Sequence, residues 1–160
     1  MSIKSGDRVP DVDLYMMAPE GPKAVNMSEF CRGRTVVLFA VPGAYTPTCS
    51  ERHLPGFVAR ADELLSAGVD AIACVSVNDV FVMHAWGHDN DATQIAMLAD
   101  GMGEFAGATG MTVDFSARGM GVRSDRYAMI IDDGEIRWVA REQPKTLEVS
   151  TAEAVLAALG

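Results

Sequence analysis

The first uninterrupted apolar run of the chain, Thr35-Val36-Val37-Leu38-Phe39-Ala40-Val41, is rich in β-branched residues and predicts a buried strand. Before it, Pro10, Pro19, Gly21 and Pro22 punctuate residues 9–32, which read as a loop-rich lead-in. Residues 48–67 set Leu54, Phe57, Val58, Ala61, Leu64 and Leu65 at spacings of three and four, the pattern of an amphipathic helix. Gly68 closes that helix, and Pro55 within it predicts a kink or a missing hydrogen bond. Val69–Val77 is the next buried strand, after which Asn78 and Asp79 cap a helix to about Gly87. Ile95–Leu98 predicts a short strand, and Gly103–Ala108 a short helix. Tyr127–Ile131 and Glu135–Arg141, joined by Asp132-Asp133-Gly134, predict a β-hairpin. Ser150 and Thr151 cap a last helix, with Glu153 near its positive end.

Alternating strand and helix units imply parallel neighbours, and the late hairpin adds antiparallel ones. The order β-α-β-α-β-(α)-β-β-α fits a thioredoxin-like three-layer α/β/α sandwich with a mixed central sheet, as one domain over residues 1–160. No internal repeat or linker divides the chain.

Composition changes this picture little. A hydrophobic fraction of 49% and a charged fraction of 22% suit a globular domain. The net charge of −9 disfavours a nucleic-acid partner or an anionic membrane surface. The N-terminus has no apolar signal segment, and no apolar run approaches the ~20 residues of a membrane span. Cys31, Cys49 and Cys74 are too few and too irregular for a disulfide framework, which suggests a reducing compartment and a cytoplasmic location. CxxC is absent, so dithiol exchange of that type is excluded.

Candidate chemistry centres on Cys49, at a strand-to-helix corner where free N–H groups and the helix dipole favour a thiolate. A free thiol of pKa ~8.5 is only a few per cent ionised at pH 7, so full ionisation gains at most ~30-fold. Enzymes commonly need ~10⁶-fold, so the site must also bind the electrophile and stabilise the leaving group. Thr46 and an arginine are the groups such a site needs, and spacing alone does not choose between Arg123 and Arg126. His53 follows Cys49 by one helical turn, which allows a Cys/His pair but shows no orienting Asn or Asp. His84 and His88 share the i, i+4 spacing without a third ligand and read as surface histidines. Cys74 lies mid-strand and reads as structural, whereas the charged patch CRGR leaves the accessibility of Cys31 open and assigns it no role. The GMG segments at 101–103 and 119–121 lack a phosphate-loop context and read as flexible loops, and the ten methionines as core filler.

Pro42-x-x-x-Thr46-x-x-Cys49 resembles the peroxiredoxin signature, in which the cysteine attacks peroxide. The longer runs PGAYTPTCSERHLPGF (Pro42–Phe57), CVSVND (Cys74–Asp79) and RYAMIIDDG (Arg126–Gly134) are similar to the atypical type II, or peroxiredoxin-5, subfamily over residues 4–159. The resemblance implies a peroxidase acting on hydrogen peroxide and organic hydroperoxides through a sulfenic acid on Cys49. It implies that Thr46 holds both thiolate and peroxide, that Pro42 shields the site, and that Arg126 binds the sulfur and the developing oxyanion. The N–H of Cys49 and of Gly43 would complete the substrate pocket, and His53 is expected as a further substrate-binding residue that also helps orient the loop. Some relatives carry a C-terminal resolving cysteine; Gln143–Thr151 has none. An external thiol, glutathione with glutaredoxin or else thioredoxin, is therefore the expected reductant, with no bound cofactor or metal. A homodimer is a further expectation, and a peroxide sensor relaying oxidation to a partner protein is the alternative function.

Overall fold

A computed structural model describes all residues 1–160. Its core is a seven-stranded mixed sheet in the order β2-β1-β5-β4-β3-β8-β9. The strands are β1 (Asp13–Ala18), β2 (Gly21–Asn26), β3 (Thr35–Ala40), β4 (Ala71–Ser76), β5 (Ile95–Ala99), β8 (Tyr127–Asp132) and β9 (Glu135–Arg141). β3, β4 and β5 run parallel, while β8 returns antiparallel to β3 with Ala40 opposite Tyr127. That last register matters most for the site. It sets the chain just before β8 beside the chain just after β3.

Strand alternation separates two cores. Val37, Phe39 and Val41 face one side, against α2 (Leu54–Ala59), α3 (Ala61–Ser66), α4 (Val80–Asp89) and α6 (Ala152–Leu159). Val36, Leu38 and Ala40 face the other, against α1 (Met27–Cys31), α5 (Glu104–Thr109) and the N-terminal segment. Fully burying residues such as Phe57 or Leu38 is worth ~1.5–3 kcal/mol each, so both layers are held on the sheet by apolar contact. This is the thioredoxin-like three-layer α/β/α sandwich.

Four local features differ from the expected ones. Residues 13–26 form the antiparallel hairpin β1–β2, with Pro19 and Gly21 at its turn and Pro22 on the outer edge strand. Pro22 is tolerated there because an edge strand leaves one row of N–H groups unpaired. The helix expected over 48–67 is three pieces: a π turn at Cys49–His53, then α2, then α3 after a break at Arg60 (φ −110°, ψ 13°). Pro55 has no N–H to offer, and the preceding turn widens so that the Leu54 N–H reaches the Cys49 carbonyl. Helix α4 continues through His88 instead of ending at Gly87, because Gly87 seats the helix on β5; a Cβ there would lie 2.6 Å from Met97 Cγ. Gly119-Met120-Gly121, read as a flexible loop, is the ordered return between β6 (Thr112–Asp114) and β7 (Val122–Ser124), with both glycines at positive φ.

Candidate active site

The loop after β3 is anchored at both ends. The Ala44 N–H donates to Asn78 Oδ1 at 2.9 Å, and the same oxygen accepts from Ser76 Oγ at 2.6 Å. Asn78 was expected only as part of a helix cap. Asp79 alone caps α4, taking the Val82 N–H at 2.8 Å, and Asn78 ties the loop to β4. Tyr45 has a φ of 65°, uncommon for a residue with a side chain, and its hydroxyl donates to Asp89 Oδ2 at 2.6 Å. Trp86 Nε1 donates to Ser50 Oγ at 2.9 Å, holding the turn that carries Cys49.

Cys49 is wholly buried, and Arg126 Nη2 donates to its Sγ at 3.0 Å across 77 residues of sequence. Arg126 is the residue before β8, brought there by the β3–β8 register, and is 8% exposed. Its Nη1 donates to His53 Nδ1 at 2.8 Å, and His53 Nε2 meets the Ser150 carbonyl at 2.9 Å. A carbonyl can only accept, so the ring proton sits on Nε2 and the Nδ1 lone pair faces Arg126. Burial first, and then the Arg126 charge, lower the His53 pKa from its ordinary value to about 3, so the imidazole is neutral.

Two expected roles change on this geometry. His53 is not a substrate-binding group, because both ring nitrogens are already engaged and the residue is 1% exposed. It supports Arg126, and makes no hydrogen bond to Cys49. The Thr46 hydroxyl gives its one proton to the Gly43 carbonyl at 2.7 Å. It therefore has lone pairs for a peroxide O–H but no proton for the thiolate.

Gly43 is buried where a Cβ would crowd Thr46 Cγ2 at 3.1 Å and meet Met120 Cε and Arg123 Nη1 at ordinary contact distances of 3.5 and 3.6 Å. The N–H groups of Gly43 and Cys49 take no part in the protein's own backbone hydrogen bonds. Pro42 opens the loop, half-buried. Arg123 is neither a free surface group nor an ion-pair partner. Its Nε donates to the Met120 carbonyl at 2.9 Å and its Nη1 to the Val77 carbonyl at 2.7 Å, bracing the β6–β7 hairpin against the loop after β4.

The other thiols lie apart from this chemistry. Cys31, whose accessibility the sequence left open, is fully buried on the opposite side of the sheet, where burial pushes its pKa up to about 11. Cys74 shares the Cys49 core but is raised well above the usual thiol range, by burial first and then by Cys49. His84 and His88 are exposed on α4, lining a groove of about 340 Å³ with Met16, Met17 and Met97. No helix is long and apolar enough to cross a membrane.

Known proteins match this chain over nearly its whole length. The family model described as Redoxin matches residues 4–156. Peroxiredoxin-2E, chloroplastic, of Arabidopsis thaliana is 47% identical over 165 residues, covering 99% of this chain and 70% of the relative. Among solved structures, reduced Prx3 of Vibrio vulnificus in complex with hydrogen peroxide is 51% identical, with a TM-score of 0.96 over 99% of both chains. Peroxiredoxin 5 of Alvinella pompejana is 40% identical, with a TM-score of 0.85 over 98% of this chain and 97% of its own.

Proposed function

We propose, on the premise that this chain belongs to the peroxiredoxin family of thiol-dependent peroxidases, that Cys49 is its peroxide-reducing residue and that Arg126 is the electrophilic partner. The observation that carries the assignment is the 3.0 Å contact from Arg126 Nη2 to Cys49 Sγ, with both side chains buried. In the first step the sulfur forms a bond to the terminal peroxide oxygen as the O–O bond breaks. Sulfur loses two electrons and becomes a sulfenic acid, and the departing oxygen takes a proton to leave as water or an alcohol. Arg126 faces the sulfur with one N–H and has further donors for the oxygen on which charge develops. Thr46 accepts the peroxide O–H, and the free N–H groups of Cys49 and Gly43 are the remaining donors. Pro42 shields the pocket. The peroxide bound to the Vibrio vulnificus relative supports hydrogen peroxide as one substrate here.

An external thiol, in our reading glutathione with glutaredoxin or else thioredoxin, attacks the sulfenic sulfur and releases water. A second thiol then regenerates Cys49. This is supported by the lack of a cysteine in Gln143–Thr151 and by the position of Cys31 across the sheet. Cys49 is wholly buried in this state, so resolution requires the π turn to open. Free thiols suit a reducing compartment, and we assign the chain to the cytoplasm. Tyr45 and Met102 on loops, Phe81 at the start of α4 and Val122 at the start of β7 expose large apolar surface at the site's end of the sheet, which supports a homodimer through that face. The deciding experiment is mass spectrometry after one equivalent of hydrogen peroxide, with and without glutathione. A sulfenic acid on Cys49 that becomes a glutathione adduct supports this cycle; an internal disulfide refutes the external-thiol step.

A further inference from the structure

Glu142 follows β9 directly and is only 5% exposed, although it carries a carboxylate. Thr146 Oγ1 donates to it at 2.8 Å, the N–H groups of Glu148, Val149 and Ser150 at 2.9, 2.8 and 2.7 Å, and Ser150 Oγ at 2.7 Å. Three successive backbone N–H groups turned onto one anion form a nest, which holds that backbone in one conformation. Burial alone would raise the Glu142 carboxyl, but the hydrogen bonds from Ser150, Thr146 and Glu148 outweigh it and leave its pKa lowered. The Glu142 N–H in turn donates to the Arg126 carbonyl at 2.9 Å. One residue is therefore tied to both Arg126 and the segment that supports it.

The segment held by Glu142 ends at Ser150, the residue whose carbonyl accepts from His53 Nε2. That acceptor decides the ring's proton. Without it the buried Nε2–H keeps only the long 3.5 Å contact to Ser150 Oγ, whose own proton goes to Glu142, and the ring proton gains by moving to Nδ1. An Nδ1–H would then face the Arg126 Nη1–H, donor against donor, and turn the guanidinium away from sulfur. Distance from Arg126 matters as well. A carboxylate directly on Arg126 would cancel the charge that the reaction uses, whereas a neutral imidazole supplies an acceptor and leaves it intact.

We infer that Glu142 is a positioning residue for peroxide reduction: it fixes the Thr146–Ser150 segment, hence the Nε2–H tautomer of His53, hence the aim of Arg126 at Cys49. This rests on the peroxidase reading above, in which Arg126 acts on the reacting sulfur and oxygen.

Glu142→Gln keeps the shape and removes the charge that gathers the N–H groups. Two quantities test it in the full chain: the nitrogen-15 shifts of the His53 ring, and the single-turnover rate of Cys49 oxidation by hydrogen peroxide. Wild type should show the Nε2–H tautomer alone. The variant should show a growing Nδ1–H population and a rate lower by about ten- to hundredfold, as other orienting residues cost. An unchanged tautomer, or a rate within about twofold of wild type, overturns the proposal. Should Glu142→Gln fail to fold, Ser150→Ala deletes one donor to Glu142 and keeps the carbonyl. A rate loss of about two- to fivefold with the same tautomer drift is expected there, and no change in either overturns the proposal. A wild-type protein inert to peroxide would instead refute the peroxidase reading, a result visible before any variant is made.

Discussion

Cys31 and Cys49 are both wholly buried, one on each side of the same sheet, and they differ in a single respect. Cys31 sits at the end of α1 among apolar side chains, where burial raises its pKa to about 11 and the Arg34 charge only partly opposes it. Cys49 receives a guanidinium N–H at 3.0 Å, and that guanidinium is itself held by a neutral histidine. Burial by itself silences a thiol, because the charged form loses its water. Cys49 is distinguished by a dedicated donor, the contact on which its proposed role rests. Cys74 sharpens the point: it lies in the Cys49 core, and yet burial outweighs the nearby arginine.

The largest expected effect separates the three thiols. Cys49→Ser should abolish peroxide consumption with glutathione as reductant, while Cys31→Ser and Cys74→Ser keep rates within about twofold, as changes away from the reacting atoms do. Peroxide loss by Cys49→Ser at the wild-type rate would end the assignment.

Next comes the donor. Arg126→Ala should slow Cys49 oxidation by about 10²–10³-fold, the usual cost of one oxyanion donor. Arg123→Ala should cost far less, since Arg123 braces the carbonyls of Met120 and Val77 and does not touch sulfur. Stopped-flow rates on both variants test the order, and equal losses would remove the distinction.

A third effect concerns acid stability. The folded His53 pKa of about 3 lies below its ordinary value, so the unfolded chain binds the extra proton between about pH 6.5 and pH 3. Stability is therefore full above that window and falls as the pH drops through it, by on the order of 5 kcal/mol at the limit. His53→Gln should flatten the slope in urea melts recorded from pH 7 to pH 4. A slope as steep as wild type would assign the acid sensitivity to other groups.

The smallest effect is at the loop anchor. Asn78→Ala leaves the Ala44 N–H and Ser76 Oγ without their acceptor and should cost about 1–3 kcal/mol. A Tm unchanged by that substitution would show that the loop finds another partner.

Elements with a strong period were legible from residues alone. The apolar run of β3, the DG turn of the β8–β9 hairpin and the caps at Asp79 and Thr151 are local signals, and each element lies where those signals put it. The β1–β2 and β6–β7 hairpins were not legible. β6 and β7 have three residues each, too few for an alternation to show, and Leu14 is the one fully buried residue in β1. Pro55 announced a break in the helix, but not that the break would take the form of a π turn beginning at Cys49.

Sequence by itself determined the candidate nucleophile, the loop that carries it and the family resemblance, because these reside in one contiguous motif whose meaning does not depend on distant residues. Spacing narrowed the arginine to two, and the resemblance pointed to Arg126. Only the tertiary structure decided the rest. Arg126 reaches sulfur because β8 pairs antiparallel with β3, and His53 turns to Arg126 because a carbonyl 97 residues away takes its other nitrogen. Glu142 gained its place only when five donors from the chain after it closed around the carboxylate. Hydrogen bonds are short-ranged in space and indifferent to sequence separation, so the partners of a buried polar group appear only once the chain has folded.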